Sequence, residues 1–145
     1  MSMALFLRAV TPAEAEVMSK DASMVDEIVE REGEDVLATD IQDAWDVLMK
    51  LLRGAGFKGA RNLGECLSNG GELLSAEQVK IHATLLAAYT PGYVRRLFDE
   101  LDSPGLYHFE AWKDDPDGLV AEFVKLQDFY RQAAARGLAI VFYSA

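Results

Sequence analysis

The pattern of apolar and polar residues predicts helices along most of the chain, with one apolar strand near each end. Residues 3–10 are apolar on both alternating faces except at Arg8, which indicates a buried strand. Residues 138–143 are wholly apolar and rich in β-favouring side chains, so they predict a second buried strand. Two such strands in a helical chain most simply pair with each other or flank a shared third strand. We therefore expect a single α+β domain over residues 1–145, mostly helical, with a small sheet that includes the N-terminal and C-terminal strands.

Residues 39–54 carry the most complete set of helix signals. Thr39 and Gln42 have the spacing of a capping box, in which each side chain bonds to the other residue's backbone amide. Gly54 is the residue type that most often ends a helix in the left-handed conformation. The apolar positions between them follow one helix face, at Ile41, Ala44, Trp45, Leu48 and Leu52. This pattern predicts a central helix over residues 39–53 against which other elements pack.

Capping residues and prolines predict where the other helices begin. A capping side chain precedes proline at Thr11, Thr90 and Asp115, and Ser75 with Gln78 forms another capping box. The predicted helices cover residues 11–20, 23–31, 75–88, 90–101 and 115–136. Glycine-rich loops are expected over residues 54–71, with room for one short helix over 62–67 and a turn at Gly70-Gly71. Residues 106–114 are predicted to form an irregular aromatic loop.

The net charge of −10 is concentrated in residues 21–46, which contain ten acidic residues and a single basic one, Arg31. A surface of this kind disfavours nucleic acid as a ligand and suits a basic protein partner. A solvated face that only keeps the protein soluble explains the same pattern equally well. If the segment binds a partner, the candidate contact residues are Asp26, Glu27, Glu30, Glu34, Asp35 and Asp43.

The single cysteine, Cys66, and the N-terminal segment bear on cellular location. One cysteine excludes an internal disulfide framework and suits a reducing compartment, and we interpret Cys66 as a small apolar filler. The apolar run near the N-terminus is too short for a signal peptide or a membrane span. These features predict a cytoplasmic protein that does not enter a membrane.

The aromatic loop at residues 106–114 offers the most interesting candidate chemistry. His108 lies there among aromatic and acidic neighbours, and a histidine near carboxylates can transfer protons. If the central helix packs on this loop, five side chains could converge on one pocket: Trp45, Tyr107, His108, Glu110 and Trp112. Core packing is the competing interpretation for both tryptophans.

No motif identifies a catalytic residue, a metal site or a cofactor. The chain lacks the H-x-x-x-H, C-x-x-C and H-E-x-x-H spacings of metal sites and the G-x-S-x-G of a nucleophile elbow. The run GAGFKG matches neither a dinucleotide fingerprint nor a P-loop. His82 lies on the apolar face of its helix and is expected to be a buried, neutral histidine. Asp115 and Asp117 are explained by the N-terminus of the last helix, where negative charge is favourable.

Three hypotheses for function remain open at this point. The preferred one is a non-catalytic protein-binding module, such as an inhibitor or toxin-immunity protein that docks a basic toxin domain through its acidic surface. The alternative is a small enzyme or ligand-binding domain that uses the aromatic loop around His108. The third is a structural or self-associating module.

Several of these segments together resemble the YfbM-like bacterial proteins, a domain family of unknown function. Asp40-Ile41, Trp45-Asp46, Leu48 and Gly54 are similar to the family's D-[IL]-x-x-x-W-x-x-L…G signature. Gly70-Gly71 followed by leucine resembles its GG turn, and Leu106-Tyr107 with Trp112 resembles its aromatic loop. Residues 129–137, followed by an apolar strand, are similar to the family's terminal helix and strand.

The resemblance covers essentially the whole chain and departs from the family in two places. The family usually has an aromatic, proline-containing stretch after the GG turn, whereas here residues 72–74 lead almost directly into Ser75. It also often has Tyr-Pro where this chain has Tyr107-His108, so a pocket edged by those segments is expected to be reshaped. The resemblance implies a cytoplasmic α/β fold with terminal strands in the sheet, and it implies no established activity.

Overall fold

The sheet is antiparallel and contains both terminal strands. The computed structural model describes residues 3–64, 66–67 and 70–145. Its strands are β1 (Leu5–Val10), β2 (Ala38–Asp40), β3 (Arg61–Asn62), β4 (Gly71–Leu74) and β5 (Ala139–Ser144). Their order across the sheet is β2-β1-β5-β4-β3. β1 pairs with β5 from Leu5 opposite Ser144 to Val10 opposite Ala139, which confirms the expected pairing of the terminal strands.

The helices begin largely where the capping signals place them. They are α1 (Pro12–Lys20), α2 (Val25–Glu30), α3 (Trp45–Leu51), α4 (Ala76–Ala87), α5 (Pro91–Glu100), α6 (Phe109–Lys113) and α7 (Pro116–Ala135), and a 3₁₀ turn over Ala22–Met24 precedes α2. The predicted caps Thr11, Ser75, Thr90 and Asp115 each accept a hydrogen bond from a backbone amide in the first helical turn. The protein is a mostly helical α+β domain, as predicted.

The sheet separates two hydrophobic cores. Alternate residues of β1 point to opposite faces, so Leu5 and Leu7 join the larger core while Val10 joins the smaller one. The larger core lies between one face and the helices α3 to α7, and α7 supplies its longest apolar stripe. The smaller core lies between the other face and α1 and α2. The helix α2 is therefore anchored on the face opposite to α4 and α7.

The central helix is shorter than predicted, and its predicted capping box is wrong. Thr39 lies in β2 and pairs with Leu7 of β1. Gln42 has a φ of +51° and lies outside the helix, which begins only at Trp45 and has no side-chain cap. Pairing with β1 satisfies backbone groups of this segment, so the local capping signal is overridden. Gly54 has the predicted left-handed conformation, with a φ of +83°.

Short elements occupy two stretches that were predicted otherwise. Asn62 belongs to β3, which pairs with β4, and the described part of residues 62–67 contains no helix. Glu65 lies outside the described residues. Gly70 has a φ of +90°, in keeping with the expected turn, and Gly71 begins β4. The aromatic loop, predicted to be irregular, contains the five-residue helix α6.

Candidate functional site

The acidic segment presents a run of exposed carboxylates at the end of α2 and in the loop that follows. We name as the acidic band the residues Glu27, Glu30, Glu32, Glu34 and Asp35, all of which are exposed. None of these five side chains forms a salt bridge with a residue that the structure describes. The band therefore contains four of the six predicted contact residues, together with Glu32.

The other two predicted contact residues have internal partners. Asp26 accepts a hydrogen bond of 2.9 Å from the backbone amide of Leu67, which fastens α2 to the loop before β4. Asp43 lies in the turn before α3, with its Oδ2 3.8 Å from Nε2 of His108 and its side chain 21% exposed. Asp26 is exposed like the acidic band but its carboxylate is already engaged, and Asp43 is partly buried.

A buried arginine holds the helix that precedes the band. Arg8 reaches from β1 toward the C-terminal end of α2, where its guanidinium donates hydrogen bonds to the carbonyl oxygens of Val29 and Arg31. Burial lowers the pKa of Arg8, and the neighbouring Arg31 guanidinium lowers it further. The side chain of Arg31 forms a 3.0 Å ion pair with Glu14 of α1. Both cations are thus engaged within the protein, and a third, Arg136, donates a 3.0 Å hydrogen bond to the backbone carbonyl of Asp35.

Part of the predicted aromatic pocket forms a packed cluster beside the N-terminal segment. The rings of Trp45 and Tyr107 stack, with centroids 5.2 Å apart. Both side chains form hydrogen bonds with the backbone of Met3. Trp45 Nε1 donates to the Met3 carbonyl, and the Met3 amide donates to the Tyr107 hydroxyl. Asp46 accepts a 2.9 Å hydrogen bond from the Tyr107 amide. These contacts fasten the aromatic loop to the start of α3 and to the chain before β1.

The five predicted pocket residues do not share one environment. His108 contacts the ring of Tyr107 and has a φ of +53°, immediately before α6. Glu110 is exposed, whereas Trp112 is buried in the larger core with its Nε1 lacking a hydrogen-bond partner among the described residues. The structure therefore brings together Trp45, Tyr107 and His108, and places the other two on opposite sides of α6.

Side chains from two helices hold the glycine-rich loop at residues 54–59. His82 of α4 accepts a 2.9 Å hydrogen bond at Nδ1 from the amide of Gly56, and its Nε2 lies 2.8 Å from the carbonyl oxygen of Lys58. This pattern requires the neutral tautomer with a proton on Nε2. Tyr130 of α7 donates its hydroxyl to the carbonyl of Gly56, and burial raises the pKa of Tyr130 well above its ordinary value.

His82 is buried, as predicted, but its connection to the glycine-rich loop was not anticipated. Its spacing on α4 shows only that the ring faces inward. The partner atoms are backbone groups more than twenty residues earlier in the chain. The sequence does contain one signal for this pairing. The glycine-rich loop has backbone amides that need acceptors, and His82 is a polar residue on an apolar helix face.

The described residues contain no cluster of histidine, cysteine and acidic side chains able to hold a metal ion. Cys66 is buried, which agrees with its interpretation as a packing residue. Among the described helices, none combines the length and apolar composition that a membrane crossing requires.

Comparison with known proteins places the chain in a family. A family model described as a domain of unknown function, DUF1877, matches residues 1–143. A comparison with curated proteins finds no match. Among solved structures, the crystal structure of YfbM from Escherichia coli, a protein of unknown function, is similar with a TM-score of 0.63 at 14% sequence identity, covering 98% of this chain and 99% of that chain. At that identity the likeness shows the fold alone. Because the family model covers nearly the whole chain, this protein belongs to the DUF1877 family, in agreement with its YfbM-like sequence features.

Proposed function

We propose that this protein is a non-catalytic binding module that docks a basic protein partner through the acidic band. An inhibitor or a toxin-immunity protein works in this way, by covering the active site of a basic toxin domain. The observation that carries the proposal is the run of five exposed carboxylates that form no salt bridge with any described residue. Carboxylates of this kind remain available to pair with a partner's lysine and arginine side chains.

The surroundings of the band support a role in binding. Arg31 lies within the band's sequence, but its guanidinium is directed to Glu14, and Arg8 is buried beneath α2. Arg8 attracts Asp35 electrostatically and Arg136 donates to the Asp35 carbonyl, but no described cation forms an ion pair with a carboxylate of the band. The negative field of the band therefore extends into solvent and accelerates encounter with a basic surface. The helix that carries Glu27 and Glu30 is anchored by Val25 and Val29 in the smaller core, which gives the surface a fixed shape.

Under this proposal the protein acts in the cytoplasm and does not catalyse a reaction. A single buried cysteine, Cys66, suits a reducing compartment. The aromatic cluster at Trp45 and Tyr107 uses its polar atoms to bind the Met3 backbone, so it supports a structural role better than an active site.

The test is affinity capture from the source cell with charge-reversed variants. The variant E27K/E30K/E32K/E34K is compared with E72K/E100K/D102K/D114K, which reverses four exposed acidic residues outside the band. The net change in charge is the same for both. We expect the band variant to lose a stoichiometric basic partner that the wild-type protein and the control variant retain.

Quantitative mass spectrometry of the captured proteins decides the result, and the genes beside this one are examined for a toxin domain. Raising the salt concentration should weaken capture by the wild-type protein, because exposed charge pairs are screened. Equal capture by the band variant and the wild-type protein would contradict the proposal.

A further inference from the structure

A groove lies between the glycine-rich loop and the helices α4 and α5. It encloses about 430 Å³, which is within the range of small-molecule sites. Its base is formed by Leu52, Ala55 and His82, which are buried. Leu85 is 48% exposed at its edge, a large apolar side chain left open to solvent. The groove therefore offers an apolar contact surface without a cover in the described structure.

Two cations stand at this apolar groove. Arg53 and Lys58 both line it and both are exposed. Neither side chain forms a hydrogen bond or an ion pair with any residue in the described ranges. The protein has ten more acidic than basic residues, and three of its seven other arginines, Arg31, Arg95 and Arg131, form salt bridges with acidic side chains. Since no acidic residue in the described ranges pairs with Arg53 or Lys58, both remain available to an anion that enters the groove.

The position of these cations is fixed by the fold. Arg53 has a φ of +54°, a conformation that costs energy for a residue with a side chain. The backbone of Lys58 is held by its carbonyl contact with His82, and the next residue, Gly59, accepts a 2.8 Å hydrogen bond from Gln78. Both cations thus project from a loop that α4 and α7 hold in place rather than from a free segment.

Two tyrosines complete the lining on the side of α4 and α5. The rings of Tyr89 and Tyr93 stack with centroids 5.8 Å apart. Neither hydroxyl has a hydrogen-bond partner within the described part of the chain. Both phenols can therefore donate to an acceptor that enters the groove.

We propose that this groove binds a small aromatic molecule that carries an anionic group, such as a carboxylate or a phosphate. The apolar base accommodates the ring, and Arg53 and Lys58 pair with the anion at the groove's edge. The tyrosine hydroxyls supply further donors to the same oxygens. This site is independent of the acidic band, since it shares no residue with it and lies with α4 on the opposite face of the sheet.

The test uses 8-anilinonaphthalene-1-sulfonate, an aromatic anion whose fluorescence rises on transfer from water to an apolar site. We expect saturable binding to one site on the folded protein. The variant R53Q/K58Q should bind it about tenfold more weakly, because two charge pairs are lost. The matched control is K50Q/R61Q, which removes two exposed cations from the same basic segment outside the groove and should bind as the wild type does.

A neutral probe and a second variant separate charge from apolar contact. N-phenyl-1-naphthylamine has similar rings without the sulfonate, and its affinity should be the same in R53Q/K58Q and the wild type. Leu85→Glu places a carboxylate at the groove's edge and should also weaken binding of the anionic probe. Leu85 is half exposed, so this variant is expected to fold, and its circular dichroism and thermal unfolding are recorded alongside.

The proposal is overturned if the wild-type protein does not bind the anionic probe. It is also overturned if R53Q/K58Q and K50Q/R61Q bind it equally well, because the cations then contribute nothing. Chemical-shift changes in the amides of Ala88 and Tyr89 on addition of the probe would support the location. Changes confined to other parts of the protein would contradict it.

Discussion

The guanidinium of Arg8 donates a hydrogen bond to the carbonyl oxygen of Val29, one residue before the last residue of α2. A strand residue thereby satisfies carbonyl groups at a helix end, where the helix itself supplies no donor. The positive charge also lies at the negative end of the helix dipole. The position of the acidic band therefore depends on a buried cation beneath it.

Replacement of Arg8 by methionine should destabilise the protein by about 3 kcal/mol, because two carbonyls lose a charged donor in a buried site. Urea unfolding measures this change. Arg61→Met removes an exposed arginine from β3 and should alter stability by no more than about 0.5 kcal/mol. Hydrogen exchange should show the largest increase in α2. Equal effects of the two substitutions would contradict the role assigned to Arg8.

Replacement of His82 by leucine should cost about 2–3 kcal/mol, since the amide of Gly56 and the carbonyl of Lys58 lose their partners. The leucine side chain retains apolar volume at this buried position. Amide exchange measured by NMR should accelerate at Gly56 more than in β1 or β5. A protected Gly56 amide in the variant would show that another group holds the loop.

The stability of the protein at alkaline pH should depend on the buried hydroxyl of Tyr130. The hydroxyl has an ordinary pKa of 10.0, and burial raises the pKa in the folded protein. Above pH 10 the unfolded chain therefore loses a proton that the folded protein keeps, and stability falls by up to about 1.4 kcal/mol per pH unit. Below pH 10 both states are protonated and this residue contributes no slope.

Tyr130→Phe should be less stable than the wild type at neutral pH by about 1–2 kcal/mol, because the hydrogen bond to Gly56 is lost. The difference should shrink as the pH rises above 10, since the variant lacks the titrating hydroxyl. Tyr143, whose pKa burial also raises, is present in both proteins and cancels from the comparison. A constant difference between the two proteins across that pH range would refute the assignment.

Replacement of Asp46 by alanine should destabilise the protein by about 1 kcal/mol through loss of the hydrogen bond to the Tyr107 amide. Because Trp45 stacks on Tyr107, tryptophan fluorescence should change in the native state of this variant. Asp114→Ala, at an exposed position after α6, serves as the control and should leave the spectrum unaltered.

The longest elements could be predicted because their signals are local and agree with one another. α7 has a cap at Asp115, a proline at its first position and buried apolar side chains at helical spacing. Residues 139–142 of β5 are apolar and buried because both faces of the strand are covered there. In these elements the sequence pattern and the tertiary environment favour the same structure.

The elements that were missed depend on partners distant in the sequence. Thr39 has a capping residue's chemistry, yet it joins β2 because Leu7 lies beside it in the folded protein. β3 and β4 are too short to show alternation, and β4 is stabilised by pairing with β5. Local propensity is weak compared with such pairing, so no window around Thr39 contains the information needed.

The candidate site was predictable to a similar extent. Exposure of Glu27, Glu30 and Glu34 follows from charge alone. The internal partners of Asp26 and Asp43 could not be predicted in this way. These partners, Leu67 and His108, are distant in sequence and are brought close only by the packing of whole elements. The unpaired state of Arg53 and Lys58 also depends on where every acidic residue of the chain is placed.

β5 lies at the centre of the sheet, between β1 and β4, although it is the last strand in the chain. During translation the ribosome releases the other four strands before the one that joins them. Until Ser144 has emerged, β1 and β4 each lack the neighbouring strand β5, and their backbone groups on that side remain unpaired. Folding of this protein is therefore expected to be completed only after synthesis of nearly the whole described chain, and the nascent chain exposes apolar strand edges that chaperones recognise until then.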